Sequence, residues 1–217
     1  MKPLPTNHYF SDETVAKWIG IAERHRLRDE QFLPVLAQWF RPGPILEIGA
    51  ATGHLSEILF RRGYDVVASD YSPALVRAAE TRGIPACVVD ATADIREQTS
   101  RTFSNVLAQN VLPLIWRDRN VVQSTVAAIH DALDPGGRLI CISSHPYWEK
   151  NPKSYFAPRE QIAIAQATGL FRLVTRFPHQ VIPTGWYRHW NARLFNFLDF
   201  HAAHLLAIRL VWVMDKI

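Results

Sequence analysis

The stretch Ile45–Leu59, ILEIGAATGHLSEIL, decides the fold. Ile45, Leu46 and Ile48 read as a buried strand. Gly49, Ala50, Ala51, Thr52 and Gly53 follow as a tight turn of small residues, and a helix opens at about His54. Small side chains in such a turn leave bare backbone for a ligand, and the amides that start the helix point toward it. The turn therefore reads as a nucleotide-type cofactor loop. Glycine spacing sets which kind. A dinucleotide fingerprint has glycine at three places, G-x-G-x-x-G, which here are Gly49, Ala51 and His54. A histidine at the third place spoils close helix–strand packing. The spacing Glu47-x-Gly49-x-x-x-Gly53 fits another pattern, and the flanking chain decides it.

Upstream, Pro3 and Pro5 break residues 1–10. Ser11 reads as an N-cap, with Asp12 and Glu13 in the first turn of a helix carrying Val15, Trp18, Ile19 and Ala22 on one face. A second helix carries Phe32, Leu33, Leu36, Trp39 and Phe40, with Pro34 in or near its first turn. Arg41-Pro42-Gly43-Pro44 stops it and leads into the first strand.

Downstream, Gly63 closes the helix that follows the loop, and a second strand from Tyr64 to Ser69 ends on Asp70. A carboxylate at that strand end can accept two hydrogen bonds from ribose hydroxyls. The run Asp70-Tyr71-Ser72-Pro73 also reads as the capped start of the next helix, 73–82. A third strand, 84–89, leads to Asp90, where turn capping rivals a ligand role. Thr102–Gln109 is a fourth strand, followed by Asn110 and Val111. A helix spans 121–133, Asp134-Pro135-Gly136-Gly137 turns the chain, and Arg138–Ser143 is a fifth strand. Repeated strand–helix units with turns at the strand ends predict a doubly wound parallel sheet.

These landmarks, ILEIGAATG, VVASDYSPALVRAAETRG, CVVDATAD, NVLAQNVLPLI and ALDPGGRLICIS, resemble in order those of class I methyltransferases that use S-adenosylmethionine (SAM). They span residues 45 to 143. Ala50 and Ala51 stand where that family often has Cys-Gly or Gly-Cys, and Asn105 where an Asp is common before the fourth strand. The resemblance implies an α/β, Rossmann-like, doubly wound and mostly parallel seven-stranded sheet. Its last strand would be antiparallel, with helices on both faces. It implies SAM as cofactor and S-adenosylhomocysteine as product. Glu47, Gly49, Ala50, Ala51 and Gly53 would serve the methionine part, Asp70 and Tyr71 the ribose, Asp90 and Ala91 the adenine. Gln109 and Asn110 would lie beside the sulfonium.

Beyond Ser144 the resemblance guides less. His145 leaves the fifth strand at its carboxyl end and reads as a base, since its unperturbed pKa is near ~6.5; a loop histidine bonded to backbone is the rival. His189, beside Tyr187, is a second candidate. Tyr9 and Phe10 read as a lid or as simple packing. Helix 159–168 precedes sixth and seventh strands at 170–177 and 208–214. The insertion between them, 178–207, is rich in aromatics, among them Trp186, Trp190 and Phe195. It suits an acceptor pocket, core packing or a dimer contact, which leaves a homodimer open. Arg188 and Arg193 there could hold an acidic group or merely lie at the surface. The whole chain, 1–217, reads as one domain: a helical cap (1–43), a cofactor-binding core (44–144) and an acceptor-side region (145–217).

Composition bounds the rest. The chain of 217 residues is 48% hydrophobic and 20% charged, ordinary for a globular protein. Its net charge of +4 comes mostly from scattered arginines, and Arg61–Arg62 is the only adjacent basic pair. No basic run exists to track phosphates, so a nucleic-acid substrate is disfavoured. Cys87 and Cys141 read as buried thiols. No stretch suits a secretion signal or a bilayer span, which points to the cytoplasm. No His/Asp/Glu group has metal-ligand spacing, so no metal is expected. The expected activity is methyl transfer to an oxygen or nitrogen of a small molecule. Two rivals are aminopropyl transfer on the same fold and a non-catalytic, membrane-associated binding protein using 186–214 as an amphipathic surface.

Overall fold

A computed structural model describes residues 12–111, 118–144, 158–180 and 209–217. Strands β1 (Ile45–Ile48), β2 (Val66–Asp70), β3 (Ala86–Val88), β4 (Phe103–Gln109), β5 (Leu133–Ser144), β6 (Phe171–Gln180) and β7 (Arg209–Lys216) form one sheet, in the order β3-β2-β1-β4-β5-β7-β6. All neighbouring pairs from β3 to β5 are parallel; β7 runs antiparallel between β5 and β6. Helices α1 (Asp12–Ala37), α2 (His54–Phe60), α3 (Pro73–Glu80), α4 (Ile95–Thr99), α5 (Arg119–Ala132) and α6 (Pro158–Ala167) flank it. This is the expected doubly wound α/β sheet with an antiparallel last strand.

Strand alternation explains the two-faced core. Leu46, Val106, Leu139 and Trp212 point to one face, where they meet Val122, Val126 and Ile129 of α5 and Ile162 of α6. Their neighbours Ile45, Leu107, Ile140 and Val213 point to the other, against Leu33 and Leu36 of α1 and Leu55, Ile58 and Leu59 of α2. The Asp-Pro-Gly-Gly run bulges out within β5. Phe103 pairs with Leu133, yet Asn105 pairs with Arg138, and Gly136 takes a φ of 72°.

Two expectations need correction. The two N-terminal helices are one, α1, of 26 residues. Pro34 therefore lies near its end rather than its start. Proline has no N–H for the carbonyl of Glu30, four residues earlier; Arg62 Nη2 approaches that oxygen instead, at 3.5 Å. The helix also faces the sheet differently, for Ile19 is exposed while Ala22 is buried. The short helix α4 was not expected; Asp94 caps it, accepting from the Glu97 amide at 2.9 Å.

Polar side chains lock the entry to β1. Asn105 Oδ1 accepts from the Arg41 amide at 2.8 Å while its Nδ2 donates to the Arg41 carbonyl at 2.9 Å. Arg138 Nε donates to Asp215 Oδ1 at 2.7 Å and its Nη1 to the Trp39 carbonyl at 3.0 Å. The end of α1 is thereby tied to β5 and β7. Among the described residues no helix is long and apolar enough to cross a membrane.

Candidate functional site

Parallel strands leave a crevice at their carboxyl ends where the sheet order reverses, here between β1 and β4. A cavity of about 270 Å³ opens there. Its floor is the turn after β1. Gly49 takes a φ of 68°, and a Cβ on it would collide with the side chain of Val111. Ala51 holds a φ of 50°, a left-handed conformation that costs an L-residue about 1–2 kcal/mol. The strain has a visible return. In that conformation the Ala51 amide donates to Asp70 Oδ2 at 2.9 Å, across the gap from β1 to β2.

Asp70 lines the cavity at the end of β2, and its other oxygen, Oδ1, accepts from the Ser72 amide at 2.9 Å. The helix cap itself is Ser72, whose side chain accepts from the Leu75 amide, with Pro73 opening α3. The capping reading of Asp70 therefore gives way to a carboxylate that braces the loop. Burial pushes its pKa up, and the amides of Ser72, Ala51 and Tyr71 hold that rise back. Asp90 does make a turn: its Oδ1 accepts from the Thr92 amide at 2.9 Å and the Thr92 hydroxyl at 2.6 Å. It also lines the cavity beside Ala91.

Glu47 lies beneath the turn. It is fully buried, and Ser56 Oγ donates to its Oε2 at 2.5 Å. Burial pushes its carboxyl up to about 7. At the end of β4, Gln109 and Asn110 form another wall, with Asn110 at a φ of 57°. Asparagine tolerates that region better than most residues.

Ten of the eleven residues expected at a cofactor thus line one cavity. Gly53 does not. A Cβ there would lie 2.6 Å from Ile84 Cδ1 and 2.7 Å from Ala79 Cβ, so this glycine lets the loop pack on α3. The base candidates His145 and His189 lie outside the described residues, as do Tyr9, Phe10, Arg188 and Arg193. Among the described residues no group of three or more His, Cys, Asp or Glu is placed to hold a metal.

The sequence reading missed the roof. Trp18, Ile21, Ala22, His25, Arg28 and Asp29, all on α1, line the cavity. They fall at three- and four-residue spacing, one stripe of one helix. The available signal was a stripe that starts apolar and turns polar at position 25. It was lost by breaking α1 in two. His54, read only as a poor third glycine, also lines the cavity.

A family model described as a methyltransferase domain matches residues 46–139. Among curated proteins, no sequence matches the chain. Solved structures do. The chain is similar to a TehB-like SAM-dependent methyltransferase from Corynebacterium glutamicum, with 19% identity, 95% of this chain and 100% of that one covered, and a TM-score of 0.69. It is similar to the CcbJ methyltransferase from Streptomyces caelestis, with 15% identity, coverage of 87% and 89%, and a TM-score of 0.64. The N-methyltransferase NodS from Bradyrhizobium japonicum, solved in complex with S-adenosylhomocysteine, gives 19% identity, coverage of 89% and 87%, and a TM-score of 0.62.

Proposed function

We propose that this chain, which has the class I SAM-dependent methyltransferase fold, transfers a methyl group from SAM to an oxygen or nitrogen of a small molecule. The observation that carries this reading is the Asp70 carboxylate, braced at a cavity floored by the Gly49–Thr52 turn. The residues fit an adenosyl sulfonium. Asp70 can take ribose hydroxyls on the lone pairs its amide bonds leave, since a carboxylate offers about four such sites. Ala91 offers a flat apolar contact for adenine and Asp90 an acceptor beside it. The turn presents backbone rather than side chains to the methionine part.

When bound, the sulfonium supplies an electrophilic methyl carbon. The protein's work is then alignment and exclusion of water, and alignment alone can contribute on the order of several kcal/mol. Gln109 and Asn110 edge the opening through which an acceptor would approach. Trp18, Ile21 and Ala22 cover the cavity from α1. His145, which follows β5 in the chain, is proposed to take the acceptor's proton, with His189 as a second base.

The test is release of S-adenosylhomocysteine from SAM in the presence of panels of hydroxyl, carboxyl and amino acceptors. Turnover with one acceptor class supports the proposal. SAM bound by the protein but never turned over across all classes would contradict it. His145→Ala is expected to lose turnover while keeping cofactor affinity; full activity in that variant removes it as the base.

A further inference from the structure

The cavity extends across the sheet, beyond the residues assigned to the cofactor, to Arg209, the first residue of β7, which is half-buried in its wall. Strand register places this cation. Arg209 pairs with Ser144 at the carboxyl end of β5, and Val211 pairs with Ile142, which pairs in turn with Gln109 of β4. Side chains two residues apart on a strand share a face. Arg209 therefore stands on the face of Val211 and Val213, and Gln109 on that of Leu107; both are the face that α1 covers. Measured across the sheet, Arg209 lies two strands beyond Gln109, roughly 10 Å, and four strands from Asp70, roughly 19 Å.

Charge is spread unevenly along the cavity. Among the described residues its carboxylates are Asp29, Glu47, Asp70 and Asp90, on α1, β1, β2 and the turn after β3. A second guanidinium in the wall, Arg28, donates from Nε to Asp29 Oδ1 at 2.7 Å and so offsets one of them. The side formed by β4 and β7 presents Gln109, Asn110, Val111 and Arg209, a cation with amides and no carboxylate. A cationic sulfonium suits the acidic end. At the other end, a guanidinium stays charged at any working pH, and its planar fork of donors matches a carboxylate. Five donors let it take a carboxylate alongside other bonds. Two cations in one half-enclosed cavity repel, and an anion between them offsets that repulsion.

We propose that the methyl acceptor carries a carboxylate, which Arg209 holds as a handle while a separate hydroxyl or amino group of the same molecule faces Gln109 and Asn110. The inference rests on the SAM reading of the cavity and names the acceptor class within it. The span from Gln109 to Arg209 sets the two acceptor groups several bonds apart, so the carboxylate is not the methylated group.

Calorimetry on the protein saturated with S-adenosylhomocysteine can compare matched probes: 4-hydroxybenzoate with 4-hydroxybenzamide, 4-aminobenzoate with 4-aminobenzamide, and 6-hydroxyhexanoate with its amide. The wild type is expected to bind at least one carboxylate about tenfold or more tightly than its amide. Arg209→Gln should abolish that preference, leaving the amide and S-adenosylhomocysteine each within about twofold of their wild-type affinity. A merely structural role for Arg209 would weaken all of them together. Arg209→Lys keeps the charge without the fork and should lower the preference about threefold or more, which carries the comparison should Arg209→Gln fail to fold. No carboxylate bound more tightly than its amide, or a preference unchanged in a folded variant, overturns the inference alone. A wild type that does not bind S-adenosylhomocysteine overturns the SAM reading and the inference with it.

Discussion

Glu47 shows how one buried side chain sets a pH dependence. Its carboxyl titrates near 7 in the folded protein against a usual value of 4.5, because burial disfavours the charge. The folded state therefore holds a proton that the unfolded chain has released between those two pH values. Stability from this group is unaffected below about pH 4.5, falls as pH rises to 7 and stays low above. The full loss is on the order of 3 kcal/mol. Replacing Glu47 by Gln imitates the neutral acid, so the variant should show a flatter stability profile than the wild type in denaturant melts at pH 5 and pH 8. Equal slopes would show that Glu47 keeps its charge when buried. Glu47, Asp70 and the turn were legible in the sequence because sterics and strand order fix them locally. The approach of His54 to Asp29 was not, since Asp29, 25 positions earlier, arrives beside it only through the course of α1.

At the scale of elements, the turn from β1 to α2 and the helix α1 contrast. In the turn, Ala51 occupies a left-handed conformation that glycine adopts without penalty. Ala51→Gly should relieve that strain, offset in part by the greater freedom of unfolded glycine. A net gain of about 1 kcal/mol is expected, raising the melting temperature by roughly 2–4 °C with the Asp70 contact intact. A loss of stability would mean that the φ of Ala51 carries no strain. Gly53→Ala should do the opposite, because α3 already occupies the space; destabilisation by about 2 kcal/mol is expected in chemical denaturation, and a neutral result would show that the loop can shift. α1 was misread because its middle, ERHRLRDEQ, is too polar to look like a buried face. Of that run, His25, Arg28 and Asp29 border the cavity, and Glu23 is exposed.

Across the whole molecule, Arg138 and Asp215 fasten β5 to β7, and Arg138 continues to the carbonyl of Trp39 just past α1. Without Arg138, Asp215 keeps Arg41 at 3.2 Å and the Trp39 carbonyl loses that donor, so Arg138→Ala should cost on the order of 2 kcal/mol in urea unfolding; a cost under about 0.5 kcal/mol would show that the tie is dispensable. The sheet as a whole was readable because alternating strands and helices leave few topologies. The acceptor side was not, because nothing in the pattern of residues 145–208 fixes how its aromatics and histidines come together. The account stands on the grip of a braced carboxylate and a glycine-bounded turn on an adenosyl group. Calorimetric titration of S-adenosylhomocysteine into the wild type and into Asp70→Ala tests it most directly. The account predicts saturable binding to the wild type and at least about tenfold weaker binding to the variant. No heat from the wild type, or equal affinity in the two, would contradict it.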